Sequence, residues 1–111
     1  MNDNLLINEL PLQVLPSLAK EIGLNESIIL LRIHELLKVS TYYNDGLPWI
    51  YNTYNDWVEH FPFWSQSTIK RAIKSLEKQN LIFIAVDNEM LMNNARLYSI
   101  NYDNIEKLTN K

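Results

Sequence analysis

The sequence has no cysteine, two glycines and two histidines among its 111 residues. Without cysteine, a disulfide scaffold, thiolate zinc, an iron–sulfur cluster and a nucleophilic thiol are excluded. Two glycines are too few for a glycine-rich phosphate loop, which excludes the nucleotide-binding motifs built on one. No apolar run has the length of a membrane span, and the amino terminus lacks the basic segment of a signal peptide. We therefore expect a cytoplasmic protein with no membrane segment and no cofactor.

Hydrophobic residues make up 47% of the chain, enough for one core. A chain of this size buries roughly two thirds of the surface that its unfolded form exposes. The prediction is a single domain over residues 1–111. The formal net charge is −3, which argues against a nucleic-acid partner only if the charge is evenly spread.

The charge and the aromatic residues are both unevenly spread. Residues 65–80 hold four of the ten basic residues and one acid, a net charge of +3, so the rest of the chain carries −6. Nine of the twelve aromatic residues lie between Tyr42 and Trp64. The pattern indicates an aromatic core segment followed by a basic helix.

Two helices are expected in the first part of the chain, after an extended segment at 12–14. Pro16 suits the first turn of the first helix, and Gly23 suits the left-handed position after its end. Asn25 is predicted to cap a longer helix at 26–39. The apolar positions of that helix cover more than one stripe, which is typical of a central core helix.

Two further helices, joined by a tight turn, are predicted in the middle of the chain. Thr53 can cap a helix at 54–61, which Pro62 ends because the residue before proline disfavours the α region. Ser65 caps the second helix, and Asn80 closes it. Apolar residues recur in both at i, i+3, i+4 and i+7, which predicts the buried positions Tyr54, Trp57, Val58 and Phe61, and then Ile69, Ala72, Ile73 and Leu76.

Strand signals surround these helices. Residues 44–48 (NDGLP) form the strongest turn signal and are predicted to separate the helical first part from a short strand at 49–51. An apolar run at 81–86 and an alternating segment at 96–102 predict two strands of a hairpin, with 87–95 as its loop. The loop contains Met90, Leu91 and Met92, for which an exposed contact or inward packing are both open.

The order of elements predicts a mainly α chain with a small β-hairpin, an α+β fold of the winged helix-turn-helix type. The helix-turn-helix spans 53–80, the wing 81–102, and a short C-terminal helix capped by Asp103 spans 103–109. In such a plan the first helix of the pair supports the second, whose exposed side enters the major groove of DNA.

The candidate DNA-binding residues lie on the helix at 65–80 and at the base of the wing. Short polar residues in the first turn can reach base edges or phosphates, and the cations can neutralise phosphate or read guanine. The alternative is a solvated helix face on a protein-interaction module. The candidates are Ser65, Gln66, Ser67, Thr68, Lys70, Arg71, Lys74, Lys78 and Arg96.

Enzyme chemistry finds little support in the sequence. His34 and His60 each stand beside a glutamate, but adjacent helical residues point in different directions and neither histidine has a second ligand in register. No metal site and no catalytic residue are predicted. Among the aromatic residues, Trp64 in the turn is expected to be the exposed one, and the others are expected in the core.

The segments 15–28, 49–54, 57, 61–65, 67–71, 76–78 and 96–102 together carry a resemblance to a known family. In these segments most of the chain resembles the N-terminal winged-helix domain of phage and plasmid replication-initiation proteins, the replisome organisers of low-GC Gram-positive bacteria, with DnaD-like proteins sharing the broader plan. The resemblance implies that the positions that recognise double-stranded DNA at a replication origin are Ser65, Gln66, Ser67, Thr68, Lys70, Arg71 and Lys74.

The resemblance also leaves alternatives. Members of that family continue into a second region that recruits or loads the helicase, whereas this chain ends at Lys111. It is either a domain of a longer initiator or a stand-alone protein that keeps the DNA-reading module without the loading function. The alternatives for a stand-alone chain are a small regulator, or a phage or mobile-element protein that uses the winged helix as a protein-interaction or inhibitor module against a host replication protein or another host protein. A homodimer is a further expectation, with residues 5–12 and the C-terminal helix as its candidate interface.

Overall fold

The computed structural model describes residues 12–86 and 95–109. This part of the chain contains five helices and a four-stranded antiparallel sheet, which confirms the α+β class. The helices are α1 (Pro16–Ile22), α2 (Leu24–Lys38), α3 (Tyr54–His60), α4 (Gln66–Lys78) and α5 (Tyr102–Thr109). The strands are β1 (Tyr42–Asn44), β2 (Leu47–Asn52), β3 (Ile82–Ala85) and β4 (Arg96–Ile100).

Gly23 joins the first two helices. Its φ of 112° lies in the region that favours glycine, and its N–H donates to the Ala19 carbonyl to close α1. Its own carbonyl accepts the first hydrogen bond of α2, from the Ser27 N–H at 2.9 Å. The prediction of Asn25 as the cap of α2 is therefore wrong, because α2 already begins at Leu24.

The caps predicted for α3 and α4 are confirmed. The Thr53 hydroxyl accepts from the Asp56 N–H at 3.0 Å, and the Asp56 carboxylate accepts from the Thr53 N–H at 2.9 Å, a complete capping box. The Ser65 hydroxyl accepts from the Thr68 N–H at 3.2 Å. Asn80, with φ at 59°, follows the end of α4 in the left-handed region. These local signals fix the position of α4 between the turn and the sheet.

The sheet is larger than the predicted small hairpin. Its strand order is β1-β2-β4-β3, so β2 pairs with β4 and joins a first hairpin to the predicted second one. Asp45 and Gly46 both have positive φ and form the two-residue turn between β1 and β2. The turn predicted at 44–48 is confirmed, but it connects two strands of a hairpin rather than a helical part and a strand. Strand β1 was not predicted.

The C-terminal helix is confirmed with a different start. Helix α5 begins at Tyr102, and the Asn101 side-chain oxygen accepts from the Asn104 N–H at 3.3 Å. Asp103 is therefore inside the helix, and its prediction as the cap is wrong. Residues 12–15, predicted to contain an extended segment, have no regular secondary structure.

One core lies between the sheet and helices α2, α3 and α4. Of the predicted buried positions, Trp57 of α3, Phe61 directly after it and all four of α4 are buried, whereas Tyr54 and Val58 are half-buried. The Trp57 ring stacks near Phe61 and meets the buried Tyr98 of β4 edge-on, with centroids 5.3 Å apart. Each fully buried aliphatic side chain stabilises the fold by about 1.5–3 kcal/mol. This packing holds α4 with one fixed face outward.

The helix pair α3 and α4 and the strands β3 and β4 follow one another as the winged-helix plan requires. The tip of the predicted wing, at 87–94 and including Met90, Leu91 and Met92, lies outside the described residues. The winged-helix assignment therefore stays an interpretation of the element order.

Candidate nucleic-acid interface

Helix α4 has one apolar face and one cationic face. Ile69 and Ile73 are fully buried against the core. The basic residues on the opposite side are exposed, as a period of 3.6 residues per turn requires for these spacings. They are Lys70, Arg71, Lys74 and Lys78.

The cations of α4 form no ion pair with a carboxylate in the part of the chain that the structure describes. Within 12–86 and 95–109, the observed ion pair joins Arg32 to Glu35 on α2, at 3.9 Å, and no ion pair involves α4. The acid of α4, Glu77, is exposed. The positive charge of this face is therefore available to an anionic partner.

The first turn of α4 divides the predicted polar residues into two groups. The hydroxyls of Ser65 and Thr68 lie 3.0 Å apart and take part in the cap, and Arg71 donates to the Thr68 hydroxyl at 3.4 Å. Gln66 and Ser67 are exposed and make no hydrogen bond to another described side chain. Ser65 and Thr68 thus shape the helix start, and Gln66 and Ser67 are the polar side chains free to contact a ligand.

Arg96, predicted at the base of the wing, lies beside Tyr54 at the start of α3. Its guanidinium carbon is 5.3 Å from the centre of the Tyr54 ring, and the Lys70 amine is 4.9 Å from the same centre. The structure thereby brings together the helix and strand cations that the sequence analysis named separately. Tyr54 was predicted only as a core residue, because its spacing on α3 matches the apolar face.

The exposed aromatic residue of the turn is Phe63, not Trp64. Trp64 is half-buried, with its ring 5.2 Å from Phe61, whereas Phe63 is 57% exposed. The backbone N–H of Trp64 donates to the Phe61 carbonyl at 3.1 Å. This hydrogen bond closes a turn, and the turn brings the indole ring back over the core. The prediction that Trp64 is the exposed aromatic residue is therefore wrong. The aromatic side chain that is exposed beside α4 belongs to its neighbour Phe63.

The two histidines contact other elements rather than each other. Arg32 donates to the His60 Nδ1 at 3.0 Å, which requires a neutral imidazole there, and burial together with this guanidinium lowers the pKa of His60. Burial raises the pKa of Tyr102, whose hydroxyl lies 2.7 Å from the His34 Nδ1. In the described part of the chain, no three histidine or carboxylate side chains form a group that could hold a metal ion.

A second surface feature lies on a different side of the fold. Helices α1, α2 and α5 enclose a largely apolar groove of about 770 Å³, with His34 and Tyr102 at its wall. Its apolar lining consists of Leu15, Pro16, Leu18, Leu30, Leu31, Ile100, Ile105 and Leu108. None of the candidate DNA-binding residues lines this groove.

Comparison with protein-family models, with curated proteins and with solved structures gives no match. The resemblance to replication initiators therefore stays an expectation from the sequence motifs. Of the helices that the structure describes, none is long and apolar enough to cross a membrane.

Proposed function

We propose that this chain is a cytoplasmic, non-enzymatic winged-helix module that binds double-stranded DNA through α4. The observation that carries the proposal is the outward face of that helix. It presents four exposed cations, none of them ion-paired within the described residues, on the surface that the buried side of the helix leaves to solvent. A helix held in this way fits the major groove, whose width admits one α-helix.

The binding mode follows from the position of each side chain. Gln66 and Ser67, at the start of α4, approach base edges or phosphate, where the free N–H groups of a helix N-terminus also favour an anion. Lys70, Arg71 and Lys74 follow on the same outward sector and contact phosphates or guanine. Ser65 and Thr68 support this turn through the cap, and Lys78 extends the cationic face towards the C-terminal end.

A role in replication initiation is the second part of the proposal. It is supported by the sequence resemblance to replisome organisers, which would make origin DNA the natural target. Two copies of the chain would suit a repeated or palindromic origin site, because a symmetric dimer presents two recognition helices.

The test is a fluorescence anisotropy titration of labelled duplex DNA from the region flanking the gene. We expect the variant Lys70→Ala, Arg71→Ala, Lys74→Ala to lose most of its affinity and to keep the circular dichroism spectrum of the unaltered chain. A matched control removes three exposed cations elsewhere, in the variant Lys20→Ala, Lys38→Ala, Lys107→Ala.

The two variants have the same net charge. A difference in their affinity for DNA therefore reports where the lost cations lie rather than how many are lost. Equal affinity of the unaltered chain and the α4 variant would refute the assignment of α4. Equal loss in both variants would mean that binding reflects charge alone, with no defined interface.

The apolar groove between α1, α2 and α5 favours a second candidate function, a protein-interaction or inhibitor module. Under this alternative the chain has no measurable DNA affinity, even at low salt. The same titration at low ionic strength therefore decides between the two functions.

A further inference from the structure

The ring of Tyr54 lies within cation–π distance of two cations from different parts of the chain. Tyr54 is the first residue of α3 and is half-buried against the core. The Lys70 amine of α4 lies 4.9 Å from the ring centre, and the Arg96 guanidinium carbon at the start of β4 lies 5.3 Å from it. Both distances are within the range of cation–π attraction.

Three independent features bring these groups together. The capping box fixes Thr53 and with it the start of α3. The pairing of β2 with β4 places Arg96 opposite Asn52, two residues before Tyr54. The buried face of α4 turns Lys70 towards α3 rather than away from it. The cluster is therefore a product of the whole fold rather than of one helix.

Two positive charges beside one ring favour the binding of an anion. The ring attracts each cation, but the cations repel each other, and neither forms an ion pair with a described carboxylate. Lys70 is exposed and Arg96 is half-exposed, so both are accessible from solvent. Arginine and lysine together are the side chains that bind phosphate best, one through a planar fork and one as a compact charge.

We propose that Lys70, Arg96 and Tyr54 form a binding site for the phosphates of one nucleic-acid strand, at the start of α3, where side chains from α4 and β4 reach the same ring. Tyr54 is a positioning residue, whose ring attracts both cations and so restrains their positions. This inference rests on the proposed DNA binding, and adds a phosphate contact that joins the helix to the base of the wing. Phosphate contacts of this kind set the register of a recognition helix on the duplex.

The test compares Tyr54→Leu with Tyr54→Phe, using a labelled random-sequence duplex of about two helical turns and anisotropy. Because each cation–π contact contributes modestly, Tyr54→Leu should weaken binding about tenfold. Loss of one or both phosphate contacts should reduce the magnitude of the salt slope by about 0.9 for each. Tyr54→Phe keeps the ring and should bind like the unaltered chain. Tyr43→Leu, at a 66% exposed tyrosine on β1, is the matched control and should change neither quantity.

A second comparison separates positioning from a general effect on the fold. In a Lys70→Ala, Arg96→Ala background, Tyr54→Leu should cause no further loss of affinity, because the ring then has no cation to hold. Equal loss in both backgrounds would overturn the inference, as would a Tyr54→Leu variant with unaltered affinity and slope. Weak binding by Tyr54→Phe would also overturn it, since the hydroxyl rather than the ring would then act. If the unaltered chain fails to bind the duplex, the proposed function fails and this inference with it.

Discussion

Salt concentration should change the affinity of this chain for duplex DNA by an amount that its exposed cations determine. Each cation that neutralises a phosphate releases counterions, so the logarithm of the affinity falls linearly with the logarithm of the salt concentration. The candidate interface offers five cations in all, the four of α4 and Arg96. If all five contact phosphate, the slope is about −4.5, the steepest value that the structure supports for one copy of the chain.

That slope translates into a large and measurable effect. Between about 50 and 200 mM salt, the affinity should fall by up to about 500-fold. For the variant Lys70→Ala, Arg71→Ala, Lys74→Ala, two cations remain, so the slope should be about −1.8 and the loss over the same range about 12-fold. The variant Lys20→Ala, Lys38→Ala, Lys107→Ala should keep the slope of the unaltered chain.

The assay is an anisotropy titration of labelled duplex at four or more salt concentrations for all three proteins. A slope near zero for the unaltered chain would refute the assignment of a phosphate-binding face. A slope clearly steeper than about −4.5 would require further cations, which a second copy of the chain would supply. An unchanged slope in the α4 variant would show that the contacts come from another surface.

Three further predictions concern the support of this interface. Thr53→Ala should lower the free energy of unfolding by about 1 kcal/mol in urea, because it removes the side-chain cap of α3, whereas Ser67→Ala, at an exposed site, should change it by less than about 0.5 kcal/mol. Trp57→Ala should cost about 3–5 kcal/mol by the same measurement, because the indole is fully buried, and a near-neutral result would contradict the observed core. Burial and Arg32 lower the pKa of His60, so the neutral imidazole stabilises the fold fully above the ordinary value of 6.5, and this stability is lost as the pH falls below it. His60→Gln should flatten the pH dependence of unfolding between about pH 7 and 5, and an unchanged profile would show that another group titrates.

The central helix pair was predictable because its signals are local. Thr53, Ser65 and Asn80 act on backbone groups within a few residues of themselves, and the buried positions of α4 follow from helical spacing alone. These signals are less decisive where two nearby residues could both cap the same helix. Asn25 is a good cap by type, but the carbonyl of Gly23 accepts the first hydrogen bond of α2 and leaves Asn25 within the helix.

The features of the fold that the sequence did not predict depend on contacts between distant segments. Strand β1 has three residues, too few for an alternating pattern to emerge. Its existence follows from its pairing with β2, and the Asp45-Gly46 turn is the signal that would have indicated it, because two consecutive positive φ values are typical of a hairpin. The cluster at Tyr54 likewise depends on the register of β2 with β4, which no local pattern gives.

The acidity of the chain is compatible with DNA binding because electrostatic attraction in salt is local. At physiological ionic strength the Debye length is about 8 Å, so exposed carboxylates further from α4 than this have little effect on its field. The segment 65–80 carries a net charge of +3, and its cations are exposed, whereas the remaining residues together carry −6. Such a distribution predicts binding confined to one face, with weak attraction in any other orientation. Affinity for a specific site then depends on groups that α4 and its neighbours hold in register with the duplex. The position of Arg96 beside Tyr54 therefore matters more than the charge of Arg96 alone would suggest.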